Sequence, residues 1–308
     1  MKALVTGGAG FIGSHLVDAL LAAGHDVCAV DDLSRGRRSQ VAPEARLHTV
    51  DVRSAALHDV MGSERPEVVF HQAAQIDVRR SIAEPLLDTE INVVGTVNVL
   101  QACVSAGVRR VVFASSGGAI YGDTSVIPTP EHQTALPASL YGAAKLCGEA
   151  YGGVYASLYG IEFCALRYAN VYGPRQDPHG EAGVVAIFAR KLLGGETPVI
   201  NGAGTQTRDY VYVTDVVAAN LAAGSADAAA MGAYNVGTGR EVDVNQLFTM
   251  LRDACGATGD AQHGPGKPGE QRRSCLDASL AASRLGWSPQ VGLEDGLRRT
   301  VEFFRSAS

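Results

Sequence analysis

Lys2-Ala-Leu-Val-Thr6, followed by Gly7-Gly8-Ala9-Gly10-Phe11-Ile12-Gly13, is the stretch on which the fold turns. The first five residues make a short apolar run, and Gly8-x-Gly10-x-x-Gly13 follows directly. Phe11, Ile12, Leu16, Leu20 and Leu21 then recur with helical spacing. Strand, glycine turn and helix in that order are the context in which this glycine pattern binds a dinucleotide. Gly7 and Gly10 let the backbone approach a pyrophosphate, and the helix start at Phe11 and Ile12 offers free N–H groups and a positive dipole end. A second strand, Asp26–Val30, ends at Asp31-Asp32, 18 residues past Gly13. That is close to the roughly 20-residue spacing of the acid that binds the adenosine ribose hydroxyls. A carboxylate there repels a 2′-phosphate, so the expected cofactor is NAD rather than NADP.

Strand and helix patterns keep alternating. Leu47–Val50 ends at Asp51-Val52, Glu67–Phe70 at His71-Gln72-Ala73-Ala74, and Arg110–Ala114 at Ser115-Ser116. Helical stretches cover about 85–106 and 141–159, and Glu162–Leu166 is a further strand. The expectation is an α/β fold, a doubly wound parallel sheet of the Rossmann type with ligands at the strands' carboxyl ends. After Arg167 the texture changes. Asn170–Gly183 reads as a loop without strand or helix, followed by a helix at about Val184–Leu193. Thr197–Asn201, Asp209–Val213 and Tyr234–Val236 read as short strands, and 240–308 as mostly short helices and turns. The expected division is a nucleotide-binding domain over 1–168 with a returning segment at about 209–239. A smaller substrate-binding lobe would be built from 169–208 and 240–308.

Composition narrows the function classes. The chain has 308 residues, 46% of them hydrophobic, and a net charge of −6 without a basic cluster. That argues against nucleic acid and against an anionic membrane surface as partners. No apolar run approaches the ~18 residues of a membrane span, and Met1–Val5 is too short for a signal-peptide core. Six scattered cysteines with no Cys-x-x-Cys pair speak against a metal site and a disulfide framework. They fit the reduced thiols of a cytoplasmic protein.

Chemistry enters at Ser139-Leu-Tyr141-Gly-Ala-Ala-Lys145. Tyr141 and Lys145, four apart, share one helix face. A phenol titrates near ~10, and a nearby ammonium favours the phenolate. Lys145 is therefore expected to lower the Tyr141 pKa, making Tyr141 a general base.

These motifs together resemble the extended short-chain dehydrogenase/reductase family, and within it the UDP-glucose 4-epimerases. The resemblance runs over nearly the whole chain. It rests on Thr6–Gly13, Asp31-Asp-Leu-Ser34, Asp51-Val52, His71-Gln-Ala-Ala74, Tyr121-Gly122, Tyr141-x-x-x-Lys145, Arg167-Tyr-Ala-Asn170-Val-Tyr-Gly-Pro174 and Arg208-Asp-Tyr210. It implies NAD contacts at Gly7, Gly10, Phe11, Ile12, Asp31, Asp32, Ser34, Asp51, Val52, Gln72, Ala73, Ala74, Gln75, Asn92, Ser115, Tyr141, Lys145 and Tyr168. UDP-sugar contacts fall on Ser116, Gly117, Tyr141, Asn170, Val184, Val185, Val199, Asn201, Arg208, Lys267, Glu270 and Ser274. A homodimer paired through the helices at about 85–106 and 141–159 is also implied.

One departure matters. The family carries its catalytic Ser or Thr in a Ser-Ser-Ser/Thr run before Tyr-Gly, and the best alignment places Gly117 there. Either Ser116 relays the proton, or Tyr141 reaches the sugar hydroxyl directly or through water. The implied reaction is NAD-dependent 4-epimerisation of UDP-glucose and UDP-galactose through a 4-keto sugar. Alternatives are a UDP-glucuronate or UDP-N-acetylglucosamine 4-epimerase, a net reductase or decarboxylase, and a dinucleotide sensor without chemistry. A 4,6-dehydratase is disfavoured, because Gly118-Ala119 stand where that chemistry needs Asp-Glu. Ser274 aligns with a gate beside the sugar's C2 group, where a small residue leaves room for an N-acetyl.

Overall fold

A computed structural model describes residues 1–178, 183–266 and 271–306. Strands β1 (Lys2–Thr6), β2 (Asp26–Asp31), β3 (Arg46–Thr49), β4 (Val68–His71), β5 (Arg110–Ser116) and β6 (Glu162–Tyr168) come first, with β11 (Ala233–Val236) returning later. These seven form one sheet in the order β11-β6-β5-β4-β1-β2-β3. Every pairing in it is parallel. Such strands are buried on both faces, and the β1 and β4 side chains from Ala3 to Val5 and Val68 to Phe70 are sealed from solvent.

Helices cover both faces. α1 (Phe11–Ala22) follows the glycine turn, and α2 (Ala56–Glu64) crosses over between β3 and β4. α3 (Val78–Ala83), α4 (Pro85–Thr89) and α5 (Gly95–Ala106) precede β5, with a π-helical turn at Glu90–Val94 joining the last two. A short α6 (Gly117–Ile120) leaves the end of β5, and α7 (Leu140–Tyr159) runs back along the sheet. Two apolar clusters fill the space between sheet and helices. One gathers Leu16, Phe70, Leu166 and Val216; the other gathers Leu57, Leu100, Phe113 and Phe163.

The remaining elements gather around a third cluster. They are β7 (Asn170–Tyr172), α8 (Val184–Leu193), β8 (Val199–Asn201), β9 (Thr207–Arg208), β10 (Tyr210–Tyr212), α9 (Val213–Ser225), β12 (Val242–Asp243), α10 (Val244–Cys255), β13 (Gln262–Gly264), β14 (Arg273–Ser274), α11 (Ser279–Leu285) and α12 (Leu293–Ser306). Tyr172, Phe188, Tyr212, Phe248, Leu297 and Val301 make up the centre of that cluster. α9 and α11 are exceptions and pack on the main sheet's side.

Three sequence expectations need correction here. Asn170–Gly183 is not all loop, because Asn170–Tyr172 pairs in parallel with β10. The strand expected at Asp209–Val213 stops at Tyr212, and Val213 opens a thirteen-residue helix that the apolar pattern did not signal. Eight residues of that helix are buried, so it lacks the one-sided stripe by which a helix is read. The region after 240 holds helices of 12 and 14 residues rather than only short ones.

The edge of the sheet at β2 and β3 is tied by charge. Glu64 accepts two bonds from Arg46 Nε and one from Nη2, at 3.0–3.2 Å, with Lys2 Nζ at 2.9 Å and His48 Nε2 at 2.8 Å. The Arg46 guanidinium, aided by Lys2 and His48, holds the Glu64 carboxyl down at about 2 against an ordinary 4.5. A depressed carboxylate pKa stabilises the fold fully above the ordinary value and loses that contribution as pH falls through the folded one. Between pH 4.5 and 2 wild type should lose about 2–3 kcal/mol from this group, somewhat under the full linkage figure because Arg46 is half exposed. Urea unfolding of wild type and Glu64→Gln at pH 7 and pH 3 checks this. An equal fall in stability for both proteins would contradict the assignment.

Candidate active site

The glycine turn is built for close approach. Gly7 sits at φ +68°, and a Cβ on it would lie 2.7 Å from the Ala73 nitrogen. A Cβ on Gly13 would lie 2.0 Å from Gly7 O. No side chain caps α1, so the N–H groups of its first turn face the cavity beyond the strand ends with no intrahelical partner. That cavity measures about 820 Å³. Every residue expected at the dinucleotide, from Gly7 to Tyr168, lines it except Asn92. A cradle that side chains would fill, an uncapped helix start and an acid at the end of β2 fit a nicotinamide dinucleotide.

Several of those residues reach the cavity already committed to partners. Asp31 accepts from Ala9 N at 3.0 Å and Leu33 N at 2.8 Å, and its burial pushes the carboxyl pKa up. Asp51 is gripped by Arg53, which pulls its pKa down. Gln72 Nε2 donates to Tyr168 Oη and to Asn220 Oδ1. Asn92, expected at the cofactor, lies behind the cavity lining and braces the Gln75 loop, which lines it. Its Oδ1 accepts from Gln75 N, and its Nδ2 donates to Gln75 O and to Asp88 Oδ1, each at 2.9 Å. Asp88 was not foreseen. It is a buried carboxylate on α4, one turn before Asn92.

Ser139 caps α7 by accepting from Gly142 N, and the helix then presents Tyr141, Lys145 and Glu149 along one face. Lys145 Nζ donates to Ala114 O at 2.8 Å, 5.0 Å from the Phe113 ring centre and 5.8 Å from that of Tyr141. Burial pushes the Lys145 pKa down to about 8, against the pull of Asp88. Burial pushes the Tyr141 phenol up to about 12, opposed by a hydrogen bond with the Ser116 side chain and reinforced by Asp88. The expected lowering of the Tyr141 pKa by Lys145 and a nicotinamide cation together concerns the loaded site; without the cofactor, burial dominates. In the unliganded chain desolvation of the phenolate wins, and the ammonium is directed at a carbonyl and an aromatic face.

The surroundings of Gly117 are crowded. A Cβ at Gly117 would lie 2.5 Å from Leu276 Cδ1 and 3.1 Å from Arg167 O, so a side chain at 117 would require the tip of Leu276 to shift. The hydroxyl that meets Tyr141 belongs to Ser116. Ser115, though it lines the cavity, spends its hydroxyl on Glu149 Oε1 at 2.5 Å. Glu149 also takes Arg167 Nη2 at 2.7 Å and Nε at 3.0 Å.

Those of the expected sugar-nucleotide residues that are described lie outside the lining of the 820 Å³ cavity, apart from Tyr141. Gly118 brings some of them together, since a Cβ on it would be 3.7 Å from Asn170 Oδ1 and 3.9 Å from Ser274 Oγ. Ser274 is buried rather than a surface loop residue, and β14 pairs it with Arg208 on β9. Arg208 Nη1 donates to Thr207 O. Val199 and Asn201 sit on β8 beside β13, and Val184 and Val185 open α8. The Val185 side chain is core, so only its main chain is available to a ligand. Lys267 and Glu270 lie outside the described residues.

Residues 3–237 match the NAD dependent epimerase/dehydratase family. A UDP-glucose 4-epimerase of Mycolicibacterium smegmatis is 48% identical over the full length of both chains. The crystal structure of UDP-glucose 4-epimerase from Thermotoga maritima with UDP-glucose superimposes with a TM-score of 0.97 at 46% identity, covering 100% of this chain and 99% of that one. The Thermus thermophilus UDP-glucose 4-epimerase in complex with NAD gives 0.95 at 43% identity over the whole of both chains. The chain belongs to the NAD-dependent epimerase/dehydratase family.

Proposed function

We propose that this protein is an NAD-dependent UDP-glucose 4-epimerase, interconverting UDP-glucose and UDP-galactose by inverting the C4 hydroxyl. The observation that carries the proposal is the Ser116–Tyr141–Lys145 arrangement at the edge of a dinucleotide-sized cavity. Bound NAD supplies the acceptor, and then the donor, of the C4 hydride. Tyr141 takes the proton of the 4-hydroxyl as a phenolate and returns it when the 4-keto sugar is reduced on its other face. Ser116, hydrogen-bonded to that phenol, carries the proton between sugar and base. Lys145, fixed by Ala114 O, holds its ammonium 5.8 Å from the Tyr141 ring centre, and a bound nicotinamide cation would add to its charge. Two cations in a dry site then oppose the desolvation that keeps the free phenol near 12.

Support for the finer points is specific. The uridine diphosphate belongs in the smaller lobe, among Asn201, Arg208 and the uncapped start of α8. A returning segment at about 209–239 assigns β11 to the nucleotide-binding domain, in keeping with its place in the main sheet. A homodimer is supported by apolar side chains left exposed on adjoining helices, with Tyr151, Val154 and Leu158 on α7 and Leu86 and Val94 beside it. A cytoplasmic setting is supported by six unpaired cysteines. No helix among the described residues is long and apolar enough to cross a membrane.

Tyr141→Phe keeps the ring packing and deletes the base, so kcat should fall by ~10²–10⁴ with UDP-sugar and NAD binding retained. Ser116→Ala should fall by a smaller factor in the same assay. Activity of Tyr141→Phe within a few-fold of wild type would refute the assignment.

Ser274 and Gly118 leave space beside the sugar, so N-acetylated UDP-hexosamines should be tolerated as well. Ser274→Tyr should suppress turnover of UDP-N-acetylgalactosamine while largely sparing UDP-galactose. Equal loss on both substrates would remove Ser274 from the pocket.

Light scattering at micromolar concentration should return twice the chain mass. Charge placed on the exposed stripe by Leu158→Glu and Val154→Glu should return a monomer. A monomeric wild type would count against the dimer.

A further inference from the structure

The segment Pro174-Arg175 is bolted across the first turns of α1. His15 Nε2 donates to Pro174 O at 2.9 Å, and Arg175 Nη2 pairs with Asp18 Oδ2 at 2.7 Å. His15 in turn meets the edge of Phe11, one turn nearer the helix start. Arg175 and the α1 residues Gly10–Ile12 line the same cavity. The Arg175 backbone sits at φ +65°, a left-handed conformation that non-glycine residues seldom adopt unless their surroundings impose it. Its second terminal nitrogen, Nη1, is buried and has no hydrogen-bond partner among the described residues. A buried guanidinium donor without an acceptor is rare in a native protein and calls for a missing partner. Other cations of the cavity are placed or engaged differently. Arg80 pairs with Glu84, Arg190 has its own partner, and Arg35 and Arg37 lie on the loop behind Asp31, at the adenosine end.

We propose that Arg175 is a cofactor-binding residue whose free guanidinium edge takes a diphosphate oxygen of the bound dinucleotide, with Asp18 holding the opposite edge in register. A planar guanidinium suits this division, since one edge binds a carboxylate while another stays open for a phosphate. The helix start alone gives the diphosphate partial charges, and Arg175 adds a full one beside them. The strained backbone fits the same role, because it keeps the side chain turned back onto α1.

The inference rests on NAD as cofactor and is tested separately from it. Full-length protein stripped of nucleotide is titrated calorimetrically with NAD, ADP and adenosine, for wild type, Arg175→Gln and Arg175→Gly. Glycine relieves the positive φ while deleting the cation, so the two variants separate folding from binding. Both should bind NAD and ADP roughly 10–100-fold more weakly, as expected for loss of a charge-assisted hydrogen bond. Adenosine affinity should stay within about twofold. The dependence of log Kd for ADP on log salt should flatten in both variants, and Arg175→Gly should melt no lower than wild type. Unchanged ADP affinity in either variant, or equal losses for ADP and adenosine, would overturn the role of Arg175. Wild type that binds neither NAD nor adenosine would instead overturn the cofactor reading.

Discussion

The site depends on one buried ion pair, Glu149 with Arg167. Glu149 lies on α7 two turns beyond Tyr141, and Arg167 lies near the carboxyl end of β6, so the pair fixes both the height and the rotation of the helix against the sheet. Ser115 on β5 binds the same carboxylate, which ties two neighbouring strands to one helical position. The pair reaches further through Arg167 Nη1, which donates to Tyr121 Oη, and through Tyr121, which donates to Asn235 on β11. Asn235 then holds Thr129 O and Asp277 O, from two segments distant in the chain. A buried pair of this kind is a weak source of stability in itself, but breaking it would strand a charge. Its main effect is geometric. It puts a phenol, an ammonium and a serine hydroxyl on converging lines that loop packing alone would leave loose.

That convergence has an electrostatic cost, borne by both partners. Taking Tyr141 and Lys145 out of water favours their neutral forms, a phenol near 12 and an amine near 8. Asp88 pulls the two in opposite functional senses, since it keeps Lys145 charged and also disfavours the phenolate. The chain without ligands is thus biased toward a protonated tyrosine.

Much of this was legible in the sequence, and the reasons are local. A glycine turn between strand and helix is a backbone constraint, and Gly7 and Gly13 show it in the clashes any side chain would make. Tyr141 and Lys145 were legible because i, i+4 spacing on a capped helix leaves no freedom about facing. What was not legible was of another kind. The hydrogen bonds of Asn92 to Gln75 and the pairing of Arg175 with Asp18 depend on side chains brought together from distant segments, and nothing in their own neighbourhoods shows it. α9 was missed because burial on several sides erases periodicity, and β7 because three residues in a Gly- and Pro-rich stretch give too little pattern. The crowding at Gly117 could not be read from one strand's sequence, since the atom nearest to it belongs to Leu276.

Leu276 carries a consequence beyond the proton relay. Its side chain fills the space that residue 117 would otherwise enter, while its backbone nitrogen is pinned by the buried Asp209 carboxylate at 3.2 Å. Interiors packed to crystal-like density do not absorb an extra hydroxymethyl without displacement elsewhere. A serine or threonine at position 117 would therefore displace the tip of Leu276, and a smaller residue at 276 would relieve the crowding. Two positions 159 residues apart share one volume, so the side chains at 117 and 276 have to be accommodated together.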